Sequence, residues 1–291
     1  MCCYKEVAIK ATINLDNTHD DDNDILPNSR LAKNLISFSS TYKILDNLSI
    51  TGSLDYSDNN AKNRFTYPYS SGYTGTNSQL GAMTDFRQWW PTNVDILQLK
   101  RDFFNTGTNA TWNWQIPAYM VNTSLANIGN AVMKTTPAYH DNPYWLLYKN
   151  YESDSRTRYF GNIHLDWEIN FYLIAMVRIA KDYYTQSMEM RLDIGSTGTP
   201  YYFRYDGQYQ ETNYDGMLNF NKNVSRDINV KAALEGNVRQ TTNQYVYDAT
   251  QGGLVVPGYF ALANSVKTPN AYRILCTKRS GRYICWCDRW V

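Results

Sequence analysis

Histidines are the first candidates for acid–base chemistry in this 291-residue sequence, and there are only three of them. His19, His140 and His164 lie far apart along the chain. His164 and Asp166 are two residues apart in a stretch that has strand periodicity, so both side chains are expected on one polar face. This arrangement predicts a cross-strand polar contact for His164 rather than a catalytic pair.

Carboxylates offer no clearer catalytic centre. Asp154, Asp166 and Glu168 lie near one another in the sequence, but nothing places two of them on either side of a substrate bond. The sequence has no phosphate-binding loop, nucleophile elbow or HExxH motif. We therefore predict that the chain is not an enzyme, assign no catalytic residue and expect no cofactor.

An acidic segment, Asp20-x-Asp22-x-Asp24, has the ligand spacing of a calcium-binding loop. Ile25, however, occupies the position where that loop requires glycine, and Leu31 the position of its closing glutamate. We predict a solvated loop over residues 20–24 and no metal site.

Three of the five cysteines, Cys276, Cys285 and Cys287, lie near the C-terminus without CxxC spacing or a nearby histidine, so a zinc site is not predicted. The alternation of apolar and polar residues also stops at Arg273. A reading-frame slip would explain both features. We expect residues 273–291 to be an out-of-frame tail.

Several tryptophans could bind a ligand, because their flat apolar faces suit the rings of sugars. The alternative is that these aromatic side chains pack the loops against one another. The tryptophans that are candidates for contact with a substrate or a partner are Trp89, Trp90, Trp112, Trp114 and Trp145.

Composition excludes some partners and favours strands. The formal charge of +1 offers no basic surface for nucleic acid. Tyrosine occurs 25 times and aromatic residues make 15% of the chain, which favours β-structure. The N-terminus does not read as a signal peptide, and the longest apolar run, Phe171–Val177, is too short for a membrane helix.

Alternation of apolar and polar residues predicts an antiparallel sheet of six or seven strands. Tight turns at Asp46–Asn47, Ile169–Asn170 and 223–227 alternate with long connections, which is typical of outer-membrane barrels. The longest connection, about residues 58–155, is predicted to contain short helices, one of them capped by Asn93. The alternating segments are Val7–Leu15, Leu35–Leu45, Leu48–Tyr56, Tyr159–Trp167, Phe171–Ile179, Thr212–Phe220 and Ile228–Val238.

Strand length favours a membrane over water. Tyr205–Asn221 and Ile228–Gln244 are long enough to cross a bilayer when tilted. A soluble all-β carbohydrate-binding module remains the alternative, and it should carry far more charge on the outer strand face. Tyrosines near strand ends are expected to form aromatic girdles; they are Tyr56, Tyr159, Tyr183, Tyr184, Tyr205 and Tyr245.

An ordered series of short motifs resembles the SusC/RagA family of TonB-linked outer-membrane transporters. The resemblance covers roughly Ile25 to Tyr272. The motifs are Arg87–Trp90, Thr92–Asp95, Asn142–Trp145, Gly161–Asn162, Leu165–Trp167, Gly195–Ser196, Gly198–Tyr201, Leu218–Lys222, Gly252–Tyr259 and Leu262–Ser265.

The resemblance implies a segment of a transmembrane β-barrel in the cell outer membrane that imports glycans or peptides. Residues 1–272 would be this partial barrel, with 58–155 as a long extracellular loop and 273–291 as a tail outside the family. Implied partners are a SusD-like surface lipoprotein, TonB, an oligosaccharide or peptide substrate and outer-membrane lipid. The plug, the TonB-contacting segment and the closing strand are not recognised in the sequence. An open sheet edge is not tolerated in hydrocarbon, so we expect this fragment not to transport alone.

Overall fold

The computed structural model describes residues 10–23, 27–63, 92–113, 137, 140–150, 152–223 and 229–279, together with the backbone of 282–290. No helix in these described segments is long and apolar enough to cross a membrane.

Within the described residues, nine antiparallel strands form a single open sheet, in which each strand pairs with its neighbours in chain order. The all-β antiparallel class predicted from alternation is therefore confirmed, as a sheet that resembles part of a barrel wall. The strands are β1 (Ala11–Asn23), β2 (Arg30–Leu45), β3 (Leu48–Lys62), β4 (Glu152–Asn170), β5 (Leu173–Leu192), β6 (Tyr201–Asn223), β7 (Asn229–Leu254), β8 (Ser265–Arg279) and β9 (Arg282–Trp290).

The predicted number of six or seven strands is too low. The extra strands are β8 and β9, which lie where alternation fades. Alternation reports an environment that differs between the two faces of a strand, whereas a ladder of backbone hydrogen bonds does not require such a difference. β8 pairs with β7 through Arg279, so the sheet continues past Arg273. That residues 273–291 are out of frame stays a prediction.

The acidic segment is also different from the prediction. Asp20 and Asp22 lie within β1, opposite Lys33 and Leu31 of β2, and not in a loop. Pairing with β2 satisfies the backbone there, while the carboxylates remain exposed to solvent. Asp24 and Ile25 lie outside the described residues.

Connections at the two ends of the sheet differ in length. At one end, β2 turns into β3 through Asp46–Asn47, as predicted, and β4 turns into β5 through Phe171–Tyr172. The predicted turn at Ile169–Asn170 is therefore two residues too early, because an irregularity between Glu168 and Asn170 shifts the register and extends β4. The opposite end carries the long connections, and we call it the loop end.

The described part of the longest connection contains two short helices. Helix α1 (Ile96–Thr106) confirms the predicted helix, but its N-cap is Asp95, which accepts a hydrogen bond from the Leu97 amide at 2.8 Å, and not Asn93. Helix α2 (Pro143–Tyr148) is capped by Asn142. The helical pattern predicted from Leu80 to Trp90 lies outside the described residues.

The buried apolar residues gather at the loop end. Leu99 and Phe103 of α1 and Trp145 of α2 are buried together, and Phe103 contacts the Trp145 ring at a centroid distance of 6.4 Å. On the strands, Leu192, Tyr202 and other buried apolar side chains also lie at this end. The opposite half of the sheet has no comparable core among the residues described.

Candidate functional site

The register joins the apolar strand faces into one surface, which we call the outward band. Trp167 of β4 lies opposite Ala175 of β5, which lies opposite Leu218 of β6, which lies opposite Leu234 of β7. Side chains directly opposite one another share a face, so each such row extends the band. Members on other rows and strands include Ile13, Leu15, Phe38, Leu54, Ile163, Val177, Ile179, Tyr214 and Val238.

The outward band is exposed, although it is made of side chains that are normally buried. Leu234 is 71% exposed, Ile163 59% and Val177 56%. From Ile163 down to Leu173, the four band rows on β4 to β7 contain no charged side chain on this face among the described residues. A contiguous exposed apolar surface of this kind marks contact with lipid or with another protein.

A row of tyrosines borders the outward band on its loop-end side. Tyr56, Tyr159 and Tyr183 lie opposite one another on β3, β4 and β5. The prediction that Tyr184, Tyr205 and Tyr245 belong to the same kind of girdle is wrong for this face. Tyr183 and Tyr184 are consecutive, and consecutive side chains of a strand point to opposite faces.

The other face, which we call the inward face, is polar and carries ion pairs. The Arg158 guanidinium donates two hydrogen bonds to Asp182, at 2.8 and 2.7 Å. The Arg178 guanidinium lies 2.8 Å from the Asp215 carboxylate, which also accepts from Asn237. A further pair joins Arg239 to Glu211. These pairs cross neighbouring strands, so they depend on the register of the sheet.

Aromatic side chains cover the inward face nearer the loop end. Tyr184 stacks on Tyr209 with ring centroids 5.1 Å apart, and the Arg156 guanidinium lies 3.9 Å from the Tyr184 centroid. Tyr247 stacks on Tyr272 at 4.9 Å. Such faces contact planar apolar surfaces, and the arginine adds a cation–π contact.

At the loop end of the sheet, a hydrogen-bond network of buried amides and carboxylates joins the loops to one another. Asn142 is fully buried, and its side-chain amide donates to the carbonyls of Leu99 and Ala110 at 3.0 and 2.7 Å. The Asp193 carboxylate accepts from the Gly258 amide at 2.8 Å, joining two further connections. We call the described loops at this end of the sheet, residues 92–113, 140–150, 193–200 and 255–264, the loop layer.

Burial changes proton affinities in the loop layer. Burial lowers the pKa of His140, because the charged imidazolium loses hydration there. Burial raises the pKa of Tyr144, and the nearby Tyr148 raises it further. His140 is also held through its backbone, since its amide donates to the Asn113 side chain at 2.9 Å.

Of the five tryptophans considered for ligand contacts, the structure describes two. Trp145 is only 7% exposed, and its indole N–H donates to the Ser196 hydroxyl at 2.7 Å. Trp112 stacks on the His140 ring at 6.2 Å. Both rings therefore pack within the loops. Trp89, Trp90 and Trp114 lie outside the described residues, and their role in binding stays a prediction.

The remaining chemically capable residues are dispersed. The partner of His164 differs from the prediction: its ring lies 3.2 Å from Asp166 and from Asn162, both on its own strand and not across it. His19 contacts Asn34 on the exposed surface. No group of three or more metal-ligating side chains occurs in the described part of the chain. Cys276 is disulfide-bonded, and the β8–β9 register places Cys285 opposite it.

Several solved structures have a fold similar to that of this chain. This chain is similar in fold to a peptide importer. The match to the RagAB peptide importer in its "open-open" state has a TM-score of 0.54 at 12% sequence identity and covers 96% of this chain and 29% of that one. The "closed-closed" state gives a TM-score of 0.54 at 11% identity, with 96% and 30% covered.

This chain thus spans less than a third of the length of those importer chains. No protein-family model matches it. No curated protein matches its sequence either. At such low identity, the similarity establishes a shared fold.

Proposed function

We propose that the chain is part of the barrel wall of an outer-membrane nutrient importer of the SusC/RagA type. One observation carries this proposal: the outward band is exposed and largely apolar across β1 to β7, with Lys181 of β5 lying between its apolar rows and the tyrosine row. Barrel strands present apolar side chains to lipid and polar ones to the lumen. The short turns at one end and long loops at the other support the same reading.

The charge distribution argues against a soluble carbohydrate-binding module. Such a module would need charged or polar groups on its outer strand face, whereas the charges of β4 to β7 lie mainly on the inward face and near the loop end. Arg158, Arg178 and Arg239 all belong to inward pairs. In a membrane, the inward face would line the polar interior and the outward band would contact acyl chains.

The substrate and partners follow from the proposed family. The inward face combines ion pairs with tyrosine rings, which suits oligosaccharide or peptide cargo. A SusD-like lipoprotein would cover the loop layer, and TonB would drive import through segments outside the part described. A chain of this length would supply only a section of the barrel, so transport is a property of the complete assembly.

Trp167 provides a direct test, because it lies in the outward band in the same row as Leu234 and is 46% exposed. The chain is inserted into vesicles whose acyl chains carry bromine, a quencher of tryptophan fluorescence. The matched variant Trp167→Phe keeps an aromatic ring but removes this fluorophore. The difference between the two signals isolates Trp167 from the other tryptophans.

Quenching of the Trp167 signal by brominated lipid, and not by iodide in the water, is the expected result. The reverse pattern would place the outward band in water and favour the soluble module. Vesicle flotation in the same preparation reports whether the chain has bound to the lipid at all.

A further inference from the structure

A groove of about 300 Å³ opens on the sheet across β4 to β7. Its lining combines the Val246 side chain with hydroxyl and amide side chains of the outward face, among them Thr157, Thr185, Gln208 and Gln244, which lie opposite one another in a single row. Ser155, Ser187 and Asp206 lie in the next row toward the loop end. The small serine and threonine side chains leave the space that forms the groove.

The floor of the groove is closed from the inward side. Gly207 lines the groove, and the Tyr205 ring lies against it there, so closely that a Cβ on Gly207 would be 2.5 Å from the tyrosine oxygen. The groove is therefore a depression in the outer surface and not a passage to the inward face. Each of β4 to β7 is paired on both sides within this chain, so the groove is complete without further strands.

The position of the groove along the strands determines its environment. Tyr159 and Tyr183 form the aromatic row that borders the outward band, and Thr157 and Thr185 are one row nearer the loop end. Successive rows on one face are about 7 Å apart, since each residue advances ~3.4 Å. Aromatic girdles mark the boundary between hydrocarbon and headgroups, so the groove would lie at headgroup level on the lipid-facing surface.

The lining offers hydrogen bonds without a free charge. Thr185, Gln208 and Gln244 make no side-chain hydrogen bond within the described part of the chain, whereas Asp206 is already engaged. It accepts from the Ser187 hydroxyl at 2.7 Å and from the Arg204 guanidinium at 2.7 Å. Amides and hydroxyls both donate and accept, which matches the hydroxyl groups of a sugar.

From this geometry we infer that the groove binds the saccharide headgroup of a glycolipid in the surrounding membrane. This inference rests on the proposed membrane function, because it places the groove beside lipid. A phosphate group fits less well, since the Asp206 carboxylate lies in the groove and already pairs with Arg204. A sugar attached to a lipid tail can place its tail along the outward band while its ring occupies the groove.

The test compares lipids retained by the full chain when it is transferred from bicelles into the gas phase for native mass spectrometry. The probe is a glucosyl diacylglycerol, present at the same concentration as phosphatidylcholine of equal tail length. Thr185→Trp fills the groove. Gln210→Trp is the control, because Gln210 is on the same face, one row closer to the outward band, and does not line the groove.

We expect the unmodified chain and Gln210→Trp to retain the glycolipid in preference to phosphatidylcholine. Thr185→Trp should lose this preference by about tenfold, as expected when two or so hydrogen bonds are lost. Equal retention by all three proteins would overturn the inference. Displacement of the lipid by dilute methyl glucoside would also overturn it, since the groove would then bind free sugar from water.

Flotation with vesicles is measured first and separates this inference from the proposed function. A chain that does not float contradicts the membrane location, and the glycolipid inference fails with it. If the chain floats but shows no preference for glycolipid, the proposed function stands and only the inference about the groove is overturned.

Discussion

The loop layer and the outward band are stabilised in opposite ways. In the loop layer, Leu146 and Leu147 are 2% and 1% exposed, and polar groups such as Asn142 are hydrogen-bonded within the protein. In the outward band, Leu234 is 71% exposed and the side chains pack against little but their neighbours on the same face. One chain therefore contains a region with a buried core and a region that lacks a core of its own.

The two regions therefore differ in the source of their stabilisation. Burial of apolar area stabilises a fold only when that area leaves water, at about 25 cal/mol per Å². The loop layer gains that energy from its own core. The outward band can gain it only from acyl chains or a partner surface. Pairing on both sides satisfies the backbone polar groups of β2 to β8, whereas β1 and β9 are each paired on one side within the described residues.

The largest expected effect comes from a charge in the outward band. Leu234→Arg places a guanidinium in the middle of the apolar stretch of β7, and in a bilayer this should cost about 2–4 kcal/mol. The measurement is denaturant unfolding of the chain in lipid vesicles. Ala233→Arg is the matched control, since the adjacent residue faces inward.

Equal losses of unfolding free energy for Leu234→Arg and Ala233→Arg would show that the two faces do not differ in environment. A soluble sheet would tolerate both substitutions on exposed positions, so a negligible effect of Leu234→Arg would argue for water on the outward side.

A loop-layer substitution should act almost as strongly but in a confined region. Asn142→Ala removes the N-cap of α2 and the side-chain amide that donates to the carbonyls of Leu99, in a buried contact, and of Ala110, in a partly buried one. A loss of about 2–3 kcal/mol is expected. Hydrogen exchange of amides in α1 and α2 measures it, while amides of β4 to β7 should keep their protection.

The control is Asn47→Ala at the opposite end of the sheet. Asn47 also donates to a backbone carbonyl, that of Glu168 at 3.0 Å, but its site is exposed and water can replace it. Loss of protection throughout the sheet in Asn142→Ala would show that the loop layer and the strands unfold together.

Sequence alone predicted the two faces of the sheet better than its register. The alternation of Val230, Leu234 and Val238 with polar residues assigns each to a face, because it follows from backbone geometry. Which tyrosines share a row depends on the turn between strands. The irregularity at Glu168 and Asn170 moves that turn, and no local pattern signals it.

The candidate site was less accessible to prediction for the same reason. The pair of Arg178 with Asp215 joins residues 37 positions apart, so it requires the β5–β6 register. Strand ends near Asn60 and Ser155 were missed because both faces become polar above the tyrosine row, which erases alternation. The tryptophans suggested ligand contacts, but composition cannot distinguish a ring that packs, as Trp145 does, from one that binds.

A smaller effect is expected on the inward face. Asp215→Asn removes the charged partner of Arg178, whose side chain is 46% exposed, so water compensates in part. The expected loss is about 1 kcal/mol in denaturant unfolding. Asp21→Asn, in the exposed pair with Arg30, should destabilise the chain less than Asp215→Asn, because water screens this pair on all sides. A larger loss at Asp21 than at Asp215 would contradict the partial burial of the inward pair.

The smallest effect is a pH dependence of the loop layer through His140. Burial lowers the pKa of His140 below 6.5 in the folded state, so at lower pH the unfolded chain binds a proton that the folded chain does not. Stability should therefore fall as the pH drops below 6.5, by at most about 1.4 kcal/mol per pH unit for one site. Unfolding of the chain and of His140→Gln, measured on both sides of pH 6.5, isolates this contribution from that of every other titrating group. If the two proteins lose stability equally on acidification, the titrating groups lie elsewhere, and the loop layer is no more sensitive to acid than the sheet below it.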